Sequence, residues 1–548
     1  RTELDRSFDA SDPDTWTQGR FMERIIGEAQ ASLEPYDTLR HIPVGELAEL
    51  LVGDPAAIPL RPTVYDVLAH RALRIFSNTE TRLAEPSWRF SLNDPRDFEL
   101  FEPFLSRSLQ HRDSTSWEFQ ALRLYQRLER LHINADKLDA YVDVVLQRLT
   151  YVRERSVLPG KDSLYLGALE LLRTRLPNEA SEAEVMVAIA RWHEEMAAKY
   201  DRLRGDDWKW EHKTAVDLCK EAVAKWPNTF GARNAAAQLA RMQQPSVSIT
   251  SEQAVPPARE FLALVKYRNT TKAWVRIVSD PDRGENERRY DPDRNAWLLR
   301  QKPLKEWSVD LPDDGDLNEH AVEIAIEGLP LGRYALLVSN GASFTRDLET
   351  ISWCGVQVTE LSLVHRYEGG THELLVLDRT TGRPVAGARV EAVLMAWDGG
   401  KRTSTVVSSA SSSEEGAVRF NLDGQRGSLA FVVTRGTDRI TSDNHYSYDH
   451  HQDTSDSIRT FLFTDRAIYR PGQELQFKGI VTVKRGKGTE VLANHETEVW
   501  LSDANGEEVD TMTVTTDRFG AFHGRFTIPQ GRLTGSWSLE ADDGSKNV

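Results

Sequence analysis

The residues best able to do chemistry stand in one short run, Asp443-Asn444-His445-Tyr446-Ser447-Tyr448-Asp449-His450-His451-Gln452-Asp453. His445, His450 and His451 offer imidazole nitrogens, and Asp443, Asp449 and Asp453 offer carboxylates. Such groups can hold a divalent ion. A zinc site also needs ligands fixed on rigid elements and oriented by outer partners. The run is polar and lies between two segments of strand period, so a solvated linker is the expectation and no metal is expected. Elsewhere the chemistry is thin. No His-Glu-x-x-His, Gly-x-Ser-x-Gly or phosphate-loop pattern occurs. Trp192-His193-Glu194-Glu195 reads as a helix face and lacks a second His. The carboxylates are scattered among Lys and Arg, as on a solvated surface, and no pair stands out for acid–base work. No catalytic residue and no cofactor is expected, and the chain reads as a non-enzyme.

The elements that would position any site follow from length and period. At 548 residues the chain is too long for one core; domains of roughly 100–200 residues are expected. Hydrophobic residues make up 40%, charged residues 28%, and the net charge is −16. This is the balance of an acidic globular chain, and it argues against nucleic acid or an anionic membrane surface as partner. No apolar run reaches the roughly 18 residues of a membrane-spanning helix, so no membrane insertion is expected. The chain opens Arg-Thr-Glu-Leu-Asp-Arg, with neither an initiator Met nor an apolar signal core, and reads as a piece of something longer. Cys219 and Cys354 fall in different segments and imply no disulfide framework.

Residues 1–245 read as all-helical. Apolar residues recur at three- and four-residue spacing over 16–33, 41–51, 62–73, 117–131, 137–153, 163–173 and 182–200, with Pro62 setting a helix start. Short connections suggest stacked helical pairs. Ala215, Cys219, Ala222 and Pro227 sit at the offsets of a tetratricopeptide's second helix. Ala236, Ala237 and Ala240 fit the small positions of a following first helix, where small side chains let helices approach. Near Pro245 the period changes to two, and only strands are read from there on. Phe261, Ala263, Val265 and Tyr267 alternate, as do Val322, Ile324 and Ile326; Asp310–Gly315 is turn material. The β region divides into sandwiches over 246–357, 358–457 and 458–548. Internal similarity supports this: Gly332-Arg-Tyr334 matches Gly535-Ser-Trp537, and Gly416-Ala417 matches Gly520-Ala521.

The most specific stretch is Phe461–Val483. Arg470-Pro471-Gly472-Gln473 puts Pro and Gly at the central positions of a type II turn. Leu475, Phe477, Gly479, Val481 and Val483 then fall on one face of a half-buried strand. Thr464-Asp465-Arg466, Ile468-Tyr469-Arg470-Pro471-Gly472 and Phe477-Lys478-Gly479 together closely resemble the opening of a macroglobulin domain in the alpha-2-macroglobulin family, whose bacterial members carry nearly this wording. The resemblance implies macroglobulin-like sandwiches and the scaffold part of a protease trap. In such a trap a bait is cut, the molecule changes shape, and a thioester, where present, captures the protease by acyl transfer. Implied partners are proteases, as targets of the full-length protein, and downstream domains of the same polypeptide. The implied place is outside the cytoplasm, in the periplasm or cell envelope. The family's thioester joins a Cys to a Gln three residues on. Cys354-Gly355-Val356-Gln357 keeps that spacing but has Val where the family has Glu, and it reads as a junction strand with a buried Cys. A different reading is an adhesion or assembly scaffold whose helices bind a protein partner; a third is a metal-dependent enzyme using His445–His451. Six strands are read in the last sandwich, one fewer than a macroglobulin domain has, so its last strand is expected to be missing.

Overall fold

The structure is a computed structural model. It describes residues 18–47, 49–50, 55–78, 90–113, 116–135, 137–176, 179–280, 292–368, 371–398, 401–422, 427–447, 457–485, 488–503, 506, 508–529 and 535–542.

The helical region contains α1 (Gln18–Ala31), α2 (Tyr36–Leu39), α3 (Val64–Phe76), α4 (Phe101–Leu105), α5 (Trp117–Asn134), α6 (Leu138–Arg155), α7 (Lys161–Thr174), α8 (Glu182–Ala197), α9 (Glu211–Lys225) and α10 (Phe230–Gln243). The expected helix over 41–51 is not formed among its described residues. Its described part is a 3-10 turn, Val44–Leu47. The backbone there is engaged elsewhere: Val44 N–H donates to Pro62 O at 2.9 Å and Val64 N–H to Ile42 O at 2.9 Å. That pairing also relocates the signal for α3. Thr63 is the N-cap, in a reciprocal capping box with Asp66, a contact worth about 1 kcal/mol; Pro62 is not the first helical residue.

The α5–α6 pair holds the deepest charge. Arg148 on α6 is fully buried and donates to Glu129 Oε1 on α5 at 2.5 Å, to Asp97 O at 2.5 Å and to Glu99 O at 2.8 Å. Its guanidinium also lies 3.7 Å from the centre of the Phe104 ring. One side chain thus ties three segments together. On α9, Ala215, Cys219 and Ala222 are buried as expected. On α10 the expected positions are wrong: Ala236, Ala237 and Ala240 are exposed, while Gly231, Ala232 and Ala235 are buried. Gly231 allows the close approach, since a Cβ there would sit 2.7 Å from both Ala183 Cβ and Glu184 N.

The first β module has β1 (Ser246–Ser251), β2 (Ala254–Val255), β3 (Phe261–Arg268), β4 (Lys272–Ser279), β5 (Lys305–Asp310), β6 (His320–Ile326), β7 (Gly332–Ser339) and β8 (Ile351–Val358). They form sheets β1-β3-β6 and β2-β8-β7-β4-β5. Inward rows such as Ala263, Val265 and Tyr267, and Ala273, Val275 and Ile277, fill one core. Two features correct the expectation of antiparallel strands alone. The β2–β8 pair is parallel, and a helix, α11 (Pro292–Arg300), stands between β4 and β5. Leu298 of α11 buries against Val278, Ala335 and Leu337, on the face of the sheet away from the main core.

The second module has β9 (Leu361–Glu368), β10 (Thr371–Asp378), β11 (Arg389–Asp398), β12 (Lys401–Ser411), β13 (Ala417–Asn421), β14 (Gly427–Arg435), β15 (Asp438–Thr441) and β16 (His445–Ser447). Its sheets are β13-β10-β9 and β12-β11-β14-β15, with β16 also on β14. The third has β17 (Ser457–Thr464), β18 (Glu474–Arg485), β19 (Gly488–Val491), β20 (Glu496–Ser502), β21 (Glu508–Thr515), β22 (Ala521–Thr527) and β23 (Ser538–Ala541). Sheet β17-β18-β19, with β22 on β18, faces sheet β21-β20-β23 across a shared core. Seven strands therefore stand among the described residues. The sequence count of six missed β19, a short strand with every residue exposed and no apolar alternation. The internal similarity holds at the backbone: φ is 152° at Gly332 and 153° at Gly535, and 75° at Gly416 and 69° at Gly520.

Candidate functional site

The motif residues of the third module converge on the corner between β17 and β18. Asp465 Oδ1 accepts from Tyr469 Oη at 2.7 Å and from Gln476 N–H at 3.0 Å. Tyr469 Oη accepts in turn from Arg466 N–H at 3.0 Å, and Thr464 Oγ1 donates to Arg466 O at 2.7 Å. These donors, the tyrosine hydroxyl first, hold the Asp465 carboxyl below the usual carboxylate range. The turn is type II as expected: Gln473 N–H donates to Arg470 O at 3.0 Å, and Gly472 has φ 86°. Gly472 N–H then donates to Ile528 O at 2.7 Å, fastening the turn to the end of β22. Phe477 is buried, stacked on Phe526 with ring centres 5.3 Å apart. Gly479 pairs with Phe522 across the ladder, and a Cβ on it would lie 1.9 Å from that ring. These polar groups are engaged with one another, so the arrangement locks a corner.

Cys354 and Gln357 both lie on β8. Side chains three apart on a strand point to opposite faces. Accordingly Cys354 packs toward the core that holds Val356 and Val358. Gln357 instead brackets Thr441 of β15, donating to its O at 3.1 Å and accepting from its N–H at 2.8 Å. The carboxamide joins the first module to the second and is turned away from the thiol. Cys354 is half-buried, not fully buried as expected.

His450 and His451 lie outside the described residues. His445 does not sit in a linker; it is on β16, paired opposite Leu429. Its ring centre is 4.0 Å from that of His365 on β9. His365 Nε2 is 3.0 Å from His372 Nδ1 on β10. All three rest against Phe431. Burial first, then the neighbouring imidazoles, pushes the His365 pKa down to about 4; His372 and His445 are also lowered, first by burial. Sequence reasoning linked His445 to its chain neighbours, whereas the strands bring it His365 and His372, 80 and 73 residues away. Among the described residues, metal-capable donors gather within 4.8 Å at Asp314, Asp316 and His320, in and just after the stretch read as turn. There Lys209 Nζ already stands 3.3 Å from Asp314 Oδ2 and supplies a positive charge.

The MG2 domain family matches residues 459–548, beginning in β17 and covering the whole corner. Alpha-2-macroglobulin of Pasteurella multocida (strain Pm70) is 26% identical over 187 residues, 31% of this chain and 9% of that protein. Alpha-2-macroglobulin of Ralstonia nicotianae is 26% identical over 316 residues, 50% of this chain and 18% of that protein. Residues 459–548 thus match an MG2 domain, and the chain is similar over part of its length to bacterial alpha-2-macroglobulins. Among solved structures, native alpha-2-macroglobulin from Escherichia coli spanning domains MG0-NIE-MG1 is 13% identical, over 36% of this chain and 64% of that one, with a TM-score of 0.27. A cryo-EM reconstruction of the native E. coli protein is 15% identical over 56% of this chain and 19% of that one, with a TM-score of 0.30. Superpositions that loose carry no argument, and the likeness rests on sequence. The chain covers 9% and 18% of the two curated relatives. The corner from Thr464 to Gly479 lies inside the matched segment and braces it internally.

Proposed function

We propose that this chain is a scaffold section of a bacterial alpha-2-macroglobulin-like protease trap and does no catalysis itself. The observation that carries this reading is the MG2 corner: Asp465, Tyr469 and Gly472 are wholly committed to holding strands, and the Cys354–Gln357 pair is split between two faces of β8. A part built this way fixes geometry for other parts. Its partners in this reading are further domains of its own polypeptide, with proteases as targets of the full-length protein. The reading also places the chain outside the cytoplasm; among the described residues, no helix is long and apolar enough to cross a membrane. The test mixes the chain alone with trypsin or elastase and follows a small peptide substrate and a large protein substrate. Both rates are expected to be unchanged. A dose-dependent loss of protein hydrolysis with peptide hydrolysis spared would mean that the chain traps proteases unaided and would sink the scaffold reading.

A further inference from the structure

The helical region holds a cavity of about 560 Å³, within the range of roughly 300–1,000 Å³ typical of small-molecule sites. Tyr36 and Arg40 of the α2 segment line it, together with Arg127, Arg130 and His132 of α5 and Lys137 just before α6. No carboxylate lines it among the described residues. The chain carries 84 acidic residues against 68 basic ones, so a concave surface whose charged lining residues are all basic, beside neutral ones such as Pro62, Leu131 and Ala135, runs against the composition.

The cations are only partly satisfied. Arg40 pairs with exposed Asp37 at 3.0 Å, yet its Nε is buried without a hydrogen-bond partner. Arg130 donates to Leu105 O. His132 is committed to Asp66 at 2.8 Å. Arg127 lies over the Tyr36 ring at 4.3 Å and the Tyr65 ring at 5.3 Å, with no ion-pair partner among the described residues. Stacking on a ring fixes the plane of a guanidinium and leaves its N–H edge free to fork two oxygens. Lys137 is exposed and likewise has no ion-pair partner among the described residues. Arg40, Arg127, Arg130 and Lys137 exceed what one carboxylate would neutralise, and they suit a phosphoryl group, which carries about two negative charges and three strong acceptor oxygens.

We propose that this cavity binds a small, soluble phosphate-bearing molecule, its phosphoryl oxygens held by Arg127, Arg130 and Lys137. The inference goes beyond the scaffold reading and does not depend on it. The test is titration calorimetry of the whole chain with inorganic pyrophosphate at low salt, and with citrate as the carboxylate comparison. One-to-one binding of pyrophosphate at millimolar or lower concentration is expected. Arg127→Gln and Lys137→Gln should each weaken it about tenfold or more, the loss of one charge-assisted contact. Arg123→Gln is the control: it lies one turn earlier on α5, outside the cavity and over Phe119, and should leave binding unchanged. Arg127 and Lys137 are exposed, so their variants should fold, which circular dichroism checks; should one fail to, the other carries the test. The proposal is overturned by no heat with millimolar pyrophosphate, by citrate binding as tightly, or by Arg123→Gln weakening binding as much as Arg127→Gln.

Discussion

Gly479 shows how much a single side chain decides in this protein. Its neighbour across the ladder is Phe522, whose ring occupies the place where a Cβ would stand, 1.9 Å away. Gly479→Ala must push that ring into a core already filled by Phe477, Val481 and Phe526. Overpacking of this kind costs about 1–3 kcal/mol, so the melting temperature of the third module should fall. An unchanged melting temperature would show that Phe522 can turn aside. Gly472→Val is argued from backbone instead: at φ 86° a β-branched residue is strained, at a cost on the order of 1–3 kcal/mol. Cys354 makes a covalent prediction. Thioester formation with Gln357 would release ammonia, but the two side chains lie on opposite faces of β8. Intact mass spectrometry should therefore find no loss of about 17 Da that methylamine reverses.

At the scale of elements, two groups of side chains tie segments together, and each has a consequence. His365, His372 and His445 join β9, β10 and β16, and all three have lowered pKa values. Their neutral forms are what the fold accommodates. The unfolded chain therefore takes up protons first, near the ordinary value of about 6.5. Stability from these groups is fully present above that pH and is lost as pH falls toward about 4, the folded value for His365. The Asp443 carboxylate opposes this at one member: it favours the protonated form of His445 and blunts its shift. Protection factors over 361–447, with the intrinsic pH dependence of amide exchange divided out, should fall between pH 7 and pH 5, and His365→Phe should flatten that dependence. An equal slope in the variant would remove the histidines as its cause. In the helical region Arg148 ties α5 and α6 to the segment at 97–99. Arg148→Met would leave Glu129 buried without its cation, and burial already raises the Glu129 pKa. Removing one member of such a pair costs about 3–5 kcal/mol, to be read as a loss of helical signal at lower denaturant.

For the whole molecule, the three β modules have separate sets of core residues, and the helical region has its own. Chains built from several cores seldom unfold in one step. Calorimetry should show more than one transition, with Gly479→Ala and Arg148→Met each lowering a different one. A single transition shifted equally by both would show that the modules unfold as a unit. The Gln357–Thr441 bracket couples the first two β modules, so those two are expected to melt closest together.

The sequence by itself determined what depends on near neighbours. Helix period, strand alternation, the type II turn at Arg470–Gln473 and the one-faced row of β18 that includes Gly479 are all written within a few residues, because the hydrogen bonds and rotations they need are local. That sufficed for the order of a helical region followed by β-sandwiches and for the MG2 corner. Where the period is weak, the sequence misled: β19 is exposed throughout, and Trp297-Leu298-Leu299 of α11 is a continuous apolar run with no strand alternation. Tertiary structure alone decided which side chains meet across long stretches of chain. His445 finds His365 and His372, Gln357 finds Thr441, and Arg40, Arg127 and Lys137 are brought round one cavity. Those encounters depend on strand register and helix packing, which no spacing within a single segment encodes.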